Sequence, residues 1–408
     1  MSSIQDSRLL RSEAYIGGSW VASSSGKTFE VTNPADGTAV GSVADLEVEQ
    51  VRGAIDAANS AWPAWQARTA KDRASLLMRW YDLMLENQDD LAMIMTLEQG
   101  KPLAESRGEI LYAASFIQWF AEEGKRIYGD VIPSHGPDKR IVTLKQPIGV
   151  VAAITPWNFP SAMITRKVGP ALAAGCPVVV KPASATPLSA LALAELADRA
   201  GLPAGVMNIV PSARATAIGA ELTGNPAVRK VSFTGSTEIG KLLMQQCAQT
   251  VKKVSLELGG NAPFIVFDDA DLDAAVAGAI ASKYRNAGQT CVCANRILVQ
   301  DTVHDAFMSK FCEAVSAMKV GPGVEDGVTI GPLINEAAVA KVEELVADAI
   351  EKGATVVLGG KRHALGGSFY EPTILTNATS EMACAREEIF GPAAPIYRFS
   401  TEEEAIAI

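Results

Sequence analysis

The stretch G-V-V-A-A-I-T-P-W-N-F-P-S-A-M-I-T-R-K-V-G-P-A-L-A-A-G-C-P-V-V-V-K-P (149–182) decides the fold of this chain. Its apolar run at 149–155 predicts a strand. Its middle at 160–175 predicts a helix with Pro160 in the first turn, and its end at 177–182 predicts a second strand. Apolar strands joined by helices in this way are typical of βαβ units in a parallel sheet.

The same rhythm continues after residue 182. A capped helix is predicted at 186–201, and further strands are predicted at 206–210 and 229–233. Before this region, residues 1–50 have the pattern of short strands and turns, and residues 47–129 have a helical pattern. The pattern as a whole predicts an α/β fold built on a parallel sheet.

A second α/β domain is predicted after Glu257. Segments 262–267, 296–299 and 354–358 are strand-like, and helical patterns lie between them. We therefore predict domains at 1–257 and 258–408.

The composition limits the possible partners. The 408 residues are 48% hydrophobic and 20% charged, as in ordinary globular proteins. The net charge is −10 without a block of Lys and Arg, so nucleic acid and anionic membranes are not expected partners. The start lacks a signal-peptide pattern, and no apolar run reaches about 18 residues, so we predict a cytoplasmic protein.

The cysteines and histidines argue against disulfides and metals. Six cysteines and three histidines are spread over the chain, which fits a reducing compartment. A metal site at the pair Cys291 and Cys293 would need further ligands, and none lies nearby in sequence. We therefore expect no metal.

Two segments that follow predicted strands have features of a dinucleotide site. F-T-G-S-T-E-I-G (233–240) places Gly235 and Ser236 before a helix, where backbone N–H groups favour a pyrophosphate, although an ordinary tight turn is an equal alternative. In K-P-A-S (181–184), Lys181 could bind a ribose or phosphate, or be a solvated lysine. Since the Ser184 position carries no carboxylate, it leaves room for a 2′-phosphate beside Lys181.

The turn N-A-G-Q-T-C-V-C-A-N-R (286–296) contains the candidate nucleophile. A reactive thiol needs a polar, partly exposed setting, which suits Cys291. Its neighbour Cys293 could form a strained, reversible disulfide with it or be inert. Buried structural roles are expected for the remaining cysteines, Cys176, Cys247, Cys312 and Cys384.

Glu257 is the candidate general base. It is a lone acid in the apolar, glycine-rich stretch S-L-E-L-G-G-N (255–261), where desolvation would raise its pKa. A salt-bridged or capping glutamate is the alternative.

Five motifs together resemble the NAD(P)-dependent aldehyde dehydrogenases. They are P-W-N-F-P (156–160), F-T-G-S-T (233–237), E-L-G-G-N (257–261), G-Q-T-C (288–291) and E-E-I-F-G-P (387–392). The resemblance runs from about residue 33 onward and is strongest to the succinate-semialdehyde dehydrogenases. It implies a Rossmann-type cofactor domain, with an oligomerisation excursion near 130–147, followed by a catalytic domain.

The resemblance also implies the roles of the site residues. Cys291 would attack the aldehyde, Asn158 and the Cys291 N–H would hold the oxyanion, and Glu257 would activate water. The cofactor, NADP with NAD as a possible substitute, would be held by Trp157, Lys181, Pro182, Ala183, Ser184, Gly235, Ser236, Leu258, Glu388 and Phe390. A homo-oligomer, dimer or tetramer, is expected.

Two arginines are candidates for substrate binding. Arg166 lies eight residues past Asn158, about two turns along the predicted helix, and Arg285 lies six residues before Cys291. Together they would suit a distal carboxylate, as in succinate semialdehyde. Glutarate semialdehyde is the alternative, because one extra CH₂ changes discrimination by only about 1–3 kcal/mol.

The end of the chain departs from the family pattern. Family chains normally continue beyond E-E-E-A-I-A-I (402–408), so the resemblance implies a catalytic domain truncated at its C terminus. A catalytically silent protein on this fold is therefore the alternative from another functional class.

Overall fold

A computed structural model describes residues 4–408, and these form two compact units. The N-terminal unit comprises residues 4–31, Gly41–Met95 and Arg107–Glu257. The C-terminal unit comprises Thr32–Val40, Thr96–Ser106 and Leu258–Ile408. Two short segments from the first part of the chain are therefore built into the C-terminal unit.

The sequence predicts short strands and turns followed by a helical region, and the structure has four short strands and then four helices between Ala14 and Glu123. The strands are β1 Ala14–Ile16, β2 Ser19–Val21, β3 Thr28–Thr32 and β4 Ala39–Ala44. The helices are α1 Val48–Gln66, α2 Ala70–Glu86, α3 Gln88–Gln99 and α4 Leu103–Glu123. An antiparallel hairpin of β5 (Asp130–Ile132) and β6 (Ile141–Thr143) follows, and its exposed residues include Val131 and Val142.

The alternating strands and helices predicted from residue 149 onward are confirmed. They are β7 Val150–Ile154, α5 Ala162–Ala173, β8 Val178–Lys181, α6 Pro187–Arg199, β9 Met207–Ile209, α7 Ala215–Gly224, β10 Val228–Thr234, α8 Thr237–Ala248 and β11 Lys253–Glu257. The sheet has the order β11-β10-β7-β8-β9-β1-β2, in which the strands from β11 to β9 are parallel. The sequence did not predict β11, and the helix predicted from residue 160 begins only at Ala162.

The C-terminal unit has its own five-stranded sheet of order β12-β13-β16-β15-β14. Its elements are β12 Ala262–Val266, α9 Leu272–Lys283, β13 Ala294–Gln300, α10 Asp301–Ser316, α11 Glu336–Glu351, β14 Thr355–Leu358, β15 Thr373–Thr376, β16 Ala393–Phe399 and α12 Glu402–Ala407. The predicted strands correspond to β12, β13 and β14. The sequence predicted neither β15 nor β16, although both lie inside the sheet.

Between residues 4 and 408 there are also four short 3₁₀ turns, at Ser7–Leu9, Gly124–Arg126, Arg285–Gly288 and Ala383–Ala385. Aromatic side chains such as Phe307, Phe311 and Phe399 fill the core of the C-terminal unit. From residue 4 to 408, none of the helices combines the length and apolar character that a membrane span requires.

Candidate active site

The parallel sheet gathers the candidate residues of the N-terminal unit at one edge. The carboxyl ends of parallel strands lie on the same side, where ligands of α/β sheets bind. Asn158 lies in the loop after β7 and is 4% exposed, Lys181 ends β8, and Gly235 follows β10. Glu257 ends β11 and therefore shares this edge. Trp157 precedes Asn158 in the same loop.

Lys181 is a buried cation suited to an anionic ligand. It is 5% exposed, and its Nζ donates to the carbonyl oxygen of Pro182 at 3.2 Å. Burial lowers the pKa of Lys181 to about 8, although the negative charge of Asp45 raises it in part. Ala183 and the exposed Ser184 continue this segment toward α6. The side chain at 184 is therefore open to solvent, in the segment that follows the buried Lys181.

Gly235 and Ser236 form the turn between β10 and α8. Ser236 caps α8, and its hydroxyl accepts the N–H of Ile239 at 3.4 Å. The Gly235 N–H donates to the Glu257 carbonyl oxygen at 3.1 Å, and a Cβ at 235 would collide with the Phe233 ring. A larger residue at 235 would therefore require the Phe233 ring to move. The first turn of α8 places N–H groups at the sheet edge.

Glu257 lies in a charged environment rather than the apolar one expected from the sequence. It is exposed and lines a cavity of about 450 Å³ that Arg166, Lys167 and Lys230 also line. Lys167 is buried and donates to the Thr234 hydroxyl at 2.6 Å. Burial lowers the pKa of Lys167 to about 8. The positive charge of Arg166 lowers this pKa further, and the negative charge of Glu257 raises it. The expected desolvation of Glu257 is therefore wrong for this structure.

Arg166 also differs from its expected placement. Asn158 lies in the loop before α5 and not on the same helix, so the two-turn spacing between them does not apply. Glu109 explains where the helix begins, because its Oε1 accepts the N–H groups of Ser161 and Ala162 at 3.0 and 3.2 Å. The Arg166 guanidinium lies 5.5 Å from the centroid of the Phe116 ring.

In the C-terminal unit, a left-handed turn precedes Cys291. Asn286 and Ala287 have φ values of +52° and +54°, and Gly288 follows with +75°. Left-handed backbone costs a non-glycine residue about 1–2 kcal/mol. A second turn, closed by the Cys293 N–H on the Thr290 carbonyl oxygen at 3.1 Å, contains Cys291.

The cysteines differ in accessibility as a nucleophile requires. Cys291 is partly accessible. Cys293 is buried, with its sulfur 3.5 Å from the carbonyl oxygens of Lys283 and Ala294. Cys176, Cys247 and Cys384 are buried as predicted, whereas Cys312 is only partly buried.

Glu388 and Phe390 belong to a loop that touches this turn. A Cβ at Gly288 would collide with the carbonyl oxygen of Gly391, and one at Gly259 would collide with the Glu388 carboxylate. Burial raises the pKa of Glu388 to about 7. A backbone hydrogen bond from Gly260 and the charge of Lys283 both lower this pKa, but burial has the larger effect. Phe390 has φ +52°. Leu258 directly precedes the Gly259–Gly260 backbone that supports Glu388.

Several supporting residues were missed by the sequence interpretation. Lys167 and Lys283 are buried lysines in helical segments, and Glu109 caps a helix 52 residues away. For the two lysines, the sequence offered one signal of burial, a charged residue within an otherwise apolar helix. Arg285 is exposed at the start of the left-handed turn. In the described part of the chain, no three His, Cys, Asp or Glu side chains form a group that could hold a metal.

Two curated relatives are similar to almost the whole chain. It is 65% identical over 404 residues to the NADP(+) succinate-semialdehyde dehydrogenase of Escherichia coli (strain K12). It is 64% identical over 405 residues to the glutarate-semialdehyde dehydrogenase of Pseudomonas aeruginosa. Each alignment covers 99% of this chain and 84% of the relative.

Solved structures and the family pattern agree with these relatives. The crystal structure of an E. coli NADP-dependent enzyme superposes with a TM-score of 0.98 at 64% identity, covering 99% of this chain and 84% of that one. The sequence pattern of the aldehyde dehydrogenase family matches residues 20–408. Given this match and these identities, the chain belongs to the aldehyde dehydrogenase family.

Proposed function

We propose that this chain oxidises succinate semialdehyde to succinate with NADP as hydride acceptor. The observation that carries the proposal is the partly accessible thiol of Cys291 behind a strained turn, in a chain of the aldehyde dehydrogenase family. Relatives at 65% and 64% identity are named for succinate and glutarate semialdehyde, so glutarate semialdehyde is the alternative substrate.

The N-terminal unit fits the dinucleotide. The buried Lys181 ammonium and the Ser184 hydroxyl suit an adenosine ribose with a 2′-phosphate, and the Gly235–Ser236 turn suits the pyrophosphate. A relative named for NADP(+) supports the same choice. Remaining contacts are assigned to Trp157, Pro182, Ala183, Leu258, Glu388 and Phe390.

The reaction follows from the side chains of this protein. The Cys291 thiolate attacks the aldehyde carbon to give a thiohemiacetal, whose oxyanion accepts hydrogen bonds from the Asn158 amide and the Cys291 N–H. Bound NADP supplies the hydride acceptor, and the carbon is left as a thioester on Cys291. Glu257 takes a proton from water as that water attacks the thioester. The carbon–sulfur bond then breaks, which releases the acid and returns Cys291 as the thiolate.

Arg166 and Arg285 are assigned to the distal carboxylate of the substrate. Guanidinium groups bind carboxylates in a bidentate manner. Arg166 is partly buried in the N-terminal unit, and Arg285 is exposed in the C-terminal unit beside the nucleophile turn. The same pair suits succinate and glutarate semialdehyde, which differ by one CH₂.

Activity requires the Cys291 sulfur. With C291A, we expect NADPH formation from succinate semialdehyde, followed by absorbance, to fall at least about a thousandfold, since the covalent route is lost. C293A, the matched control, keeps most activity because its thiol is buried. Higher kcat/KM for glutarate semialdehyde would select the alternative substrate. No turnover of any aldehyde, with equal iodoacetamide labelling of all six cysteines, would support the catalytically silent alternative.

Ser184 sets the cofactor preference. With S184E, we expect kcat/KM for NADP to fall at least about tenfold while that for NAD is kept, because a carboxylate repels the 2′-phosphate. The control S184A removes only the hydroxyl and changes the NADP to NAD ratio much less. A wild-type protein that prefers NAD contradicts this assignment.

Ionisation of Glu388 controls cofactor affinity. Below its pKa of about 7 the carboxyl is protonated, and above it the carboxylate accepts hydrogen bonds from ribose hydroxyls more strongly. We expect the Kd for NADP to fall by up to about tenfold between pH 6 and 7.5 relative to E388Q. Titration of Lys181, with a pKa of about 8, affects both proteins alike and cancels in this ratio. If calorimetric titrations give the same pH dependence of the NADP Kd for the unmodified protein and E388Q, this role of Glu388 is refuted.

We further propose that copies of the chain associate through the β5–β6 hairpin. The hairpin is a separate two-stranded sheet, and Val131 and Val142 are 78% and 60% exposed. Light scattering should give a mass above one chain, and V131D should lower it because a buried charge destabilises an apolar interface. L365D, at an exposed leucine of the C-terminal unit, is the control. A single-chain mass for the unmodified protein contradicts this proposal.

A further inference from the structure

The turn that leads to Cys291 needs an external support. Five non-glycine residues between 4 and 408 have a positive φ, and two of them, Asn286 and Ala287, are consecutive in this turn. With Gly288, three successive residues are left-handed. L-residues adopt this backbone only where the surroundings fix it. Some contact must therefore hold residues 286–288 against relaxation.

The contacts that hold the turn come from Thr96–Ser106, here called the buttress segment. The Glu105 carboxylate accepts the backbone N–H of Asn286 at 2.8 Å. The Gln99 side-chain amide donates to the Asn286 Oδ1 at 3.0 Å. Gln99 and Asn286 are at most 1% exposed, so water does not compete for these bonds. Both the main chain and the side chain of Asn286 are thus fixed by the buttress segment.

The buttress segment is itself fixed within the C-terminal unit. Gly100 has φ +95°, and a Cβ there would lie 2.7 Å from ring atoms of both Pro34 and Pro332. The Leu103 N–H donates to the Gly323 carbonyl oxygen at 2.8 Å. Glu105 lies in the first turn of α4, directly after this anchor. Its carboxylate is therefore a stationary acceptor.

Gln289 transmits the position of Asn286 toward the thiol. Its backbone and side-chain N–H groups donate to the Asn286 carbonyl oxygen at 3.0 and 3.1 Å. Its Oε1 accepts the Ile334 N–H at 2.9 Å. The next residue, Thr290, starts the turn that contains Cys291. A shift at Asn286 is thus passed on to the nucleophile through short, buried bonds.

We infer that Glu105 and Gln99 are positioning residues that keep the nucleophile turn left-handed and so aim the Cys291 sulfur at the substrate carbon. Their hydrogen bonds reach Asn286, and through that residue they act on the position of the thiol. The expected effect on the catalytic rate rests on the proposed function, whereas the support of the turn by Glu105 and Gln99 does not.

The kinetic test compares E105A, E105Q and the control E122A, which changes an exposed glutamate on the same helix. We expect kcat of E105A to fall about a hundredfold, as for a nucleophile misplaced by about 1 Å. KM for the aldehyde and Kd for NADP should change little. E105Q keeps a neutral acceptor and should be intermediate, and E122A should match the unmodified protein. Unchanged kcat in E105A overturns the inference, and so does unchanged kcat in E105Q if E105A does not fold.

A second variant separates positioning from general stability. Glycine adopts left-handed backbone without strain, so A287G should restore part of the kcat lost in E105A. A loss of stability elsewhere would not be repaired in this way. If E105A/A287G is no faster than E105A, the strain-based mechanism is wrong.

Hydrogen exchange tests the inference without any turnover. In E105A, exchange of a peptide spanning 286–293 should become faster, because the Asn286 N–H loses its acceptor, while β13 and α10 stay unchanged. Unaltered exchange there overturns the inference even in an active enzyme. If exchange is faster in E105A but the unmodified protein oxidises no semialdehyde, the role of Glu105 in holding the turn is supported. Only the proposed function is then refuted.

Discussion

Parallel pairing of β7, β8, β10 and β11 is the constraint on which the N-terminal half of the site depends. These strands form one hydrogen-bonded sheet, and their carboxyl ends therefore reach the same edge. Residues as distant in sequence as Asn158 and Glu257 come to this edge through backbone pairing alone. The helices between the strands then only need to cover the faces of the sheet.

The sequence predicts the strands of this sheet where they are buried on both faces. β7 is an apolar run, β8 is apolar up to Lys181, and β9 has the buried Asn208 between two apolar residues; all three are found where they were expected. β11 is an edge strand whose residues alternate between exposed and half-buried, with Lys253 and Glu257 at its ends, so it lacks that apolar run. The start of α5 was also misjudged, because Glu109 determines it from a distant part of the chain.

The motif residues could be found from the sequence, whereas the residues that support them could not. Cys291 and Gly235 belong to short patterns whose chemistry is local. Gln99 lies in an ordinary helical pattern, and only the three-dimensional structure shows that it reaches Asn286. Burial of Lys167 is likewise a result of tertiary packing. The error about Glu257 has the same origin, since folding leaves this residue exposed and places it at a cavity that Arg166 and two lysines also line.

The close approach of Gly288 to the Gly391 carbonyl has a consequence for engineering. Neither position can accept a side chain, because a Cβ at 288 would meet that carbonyl and one at 391 would meet Val342. Mutant libraries aimed at new aldehydes should leave both glycines fixed. Val292, 67% exposed between the two cysteines, is the position in this loop where sequence diversity can enter without disturbing the backbone.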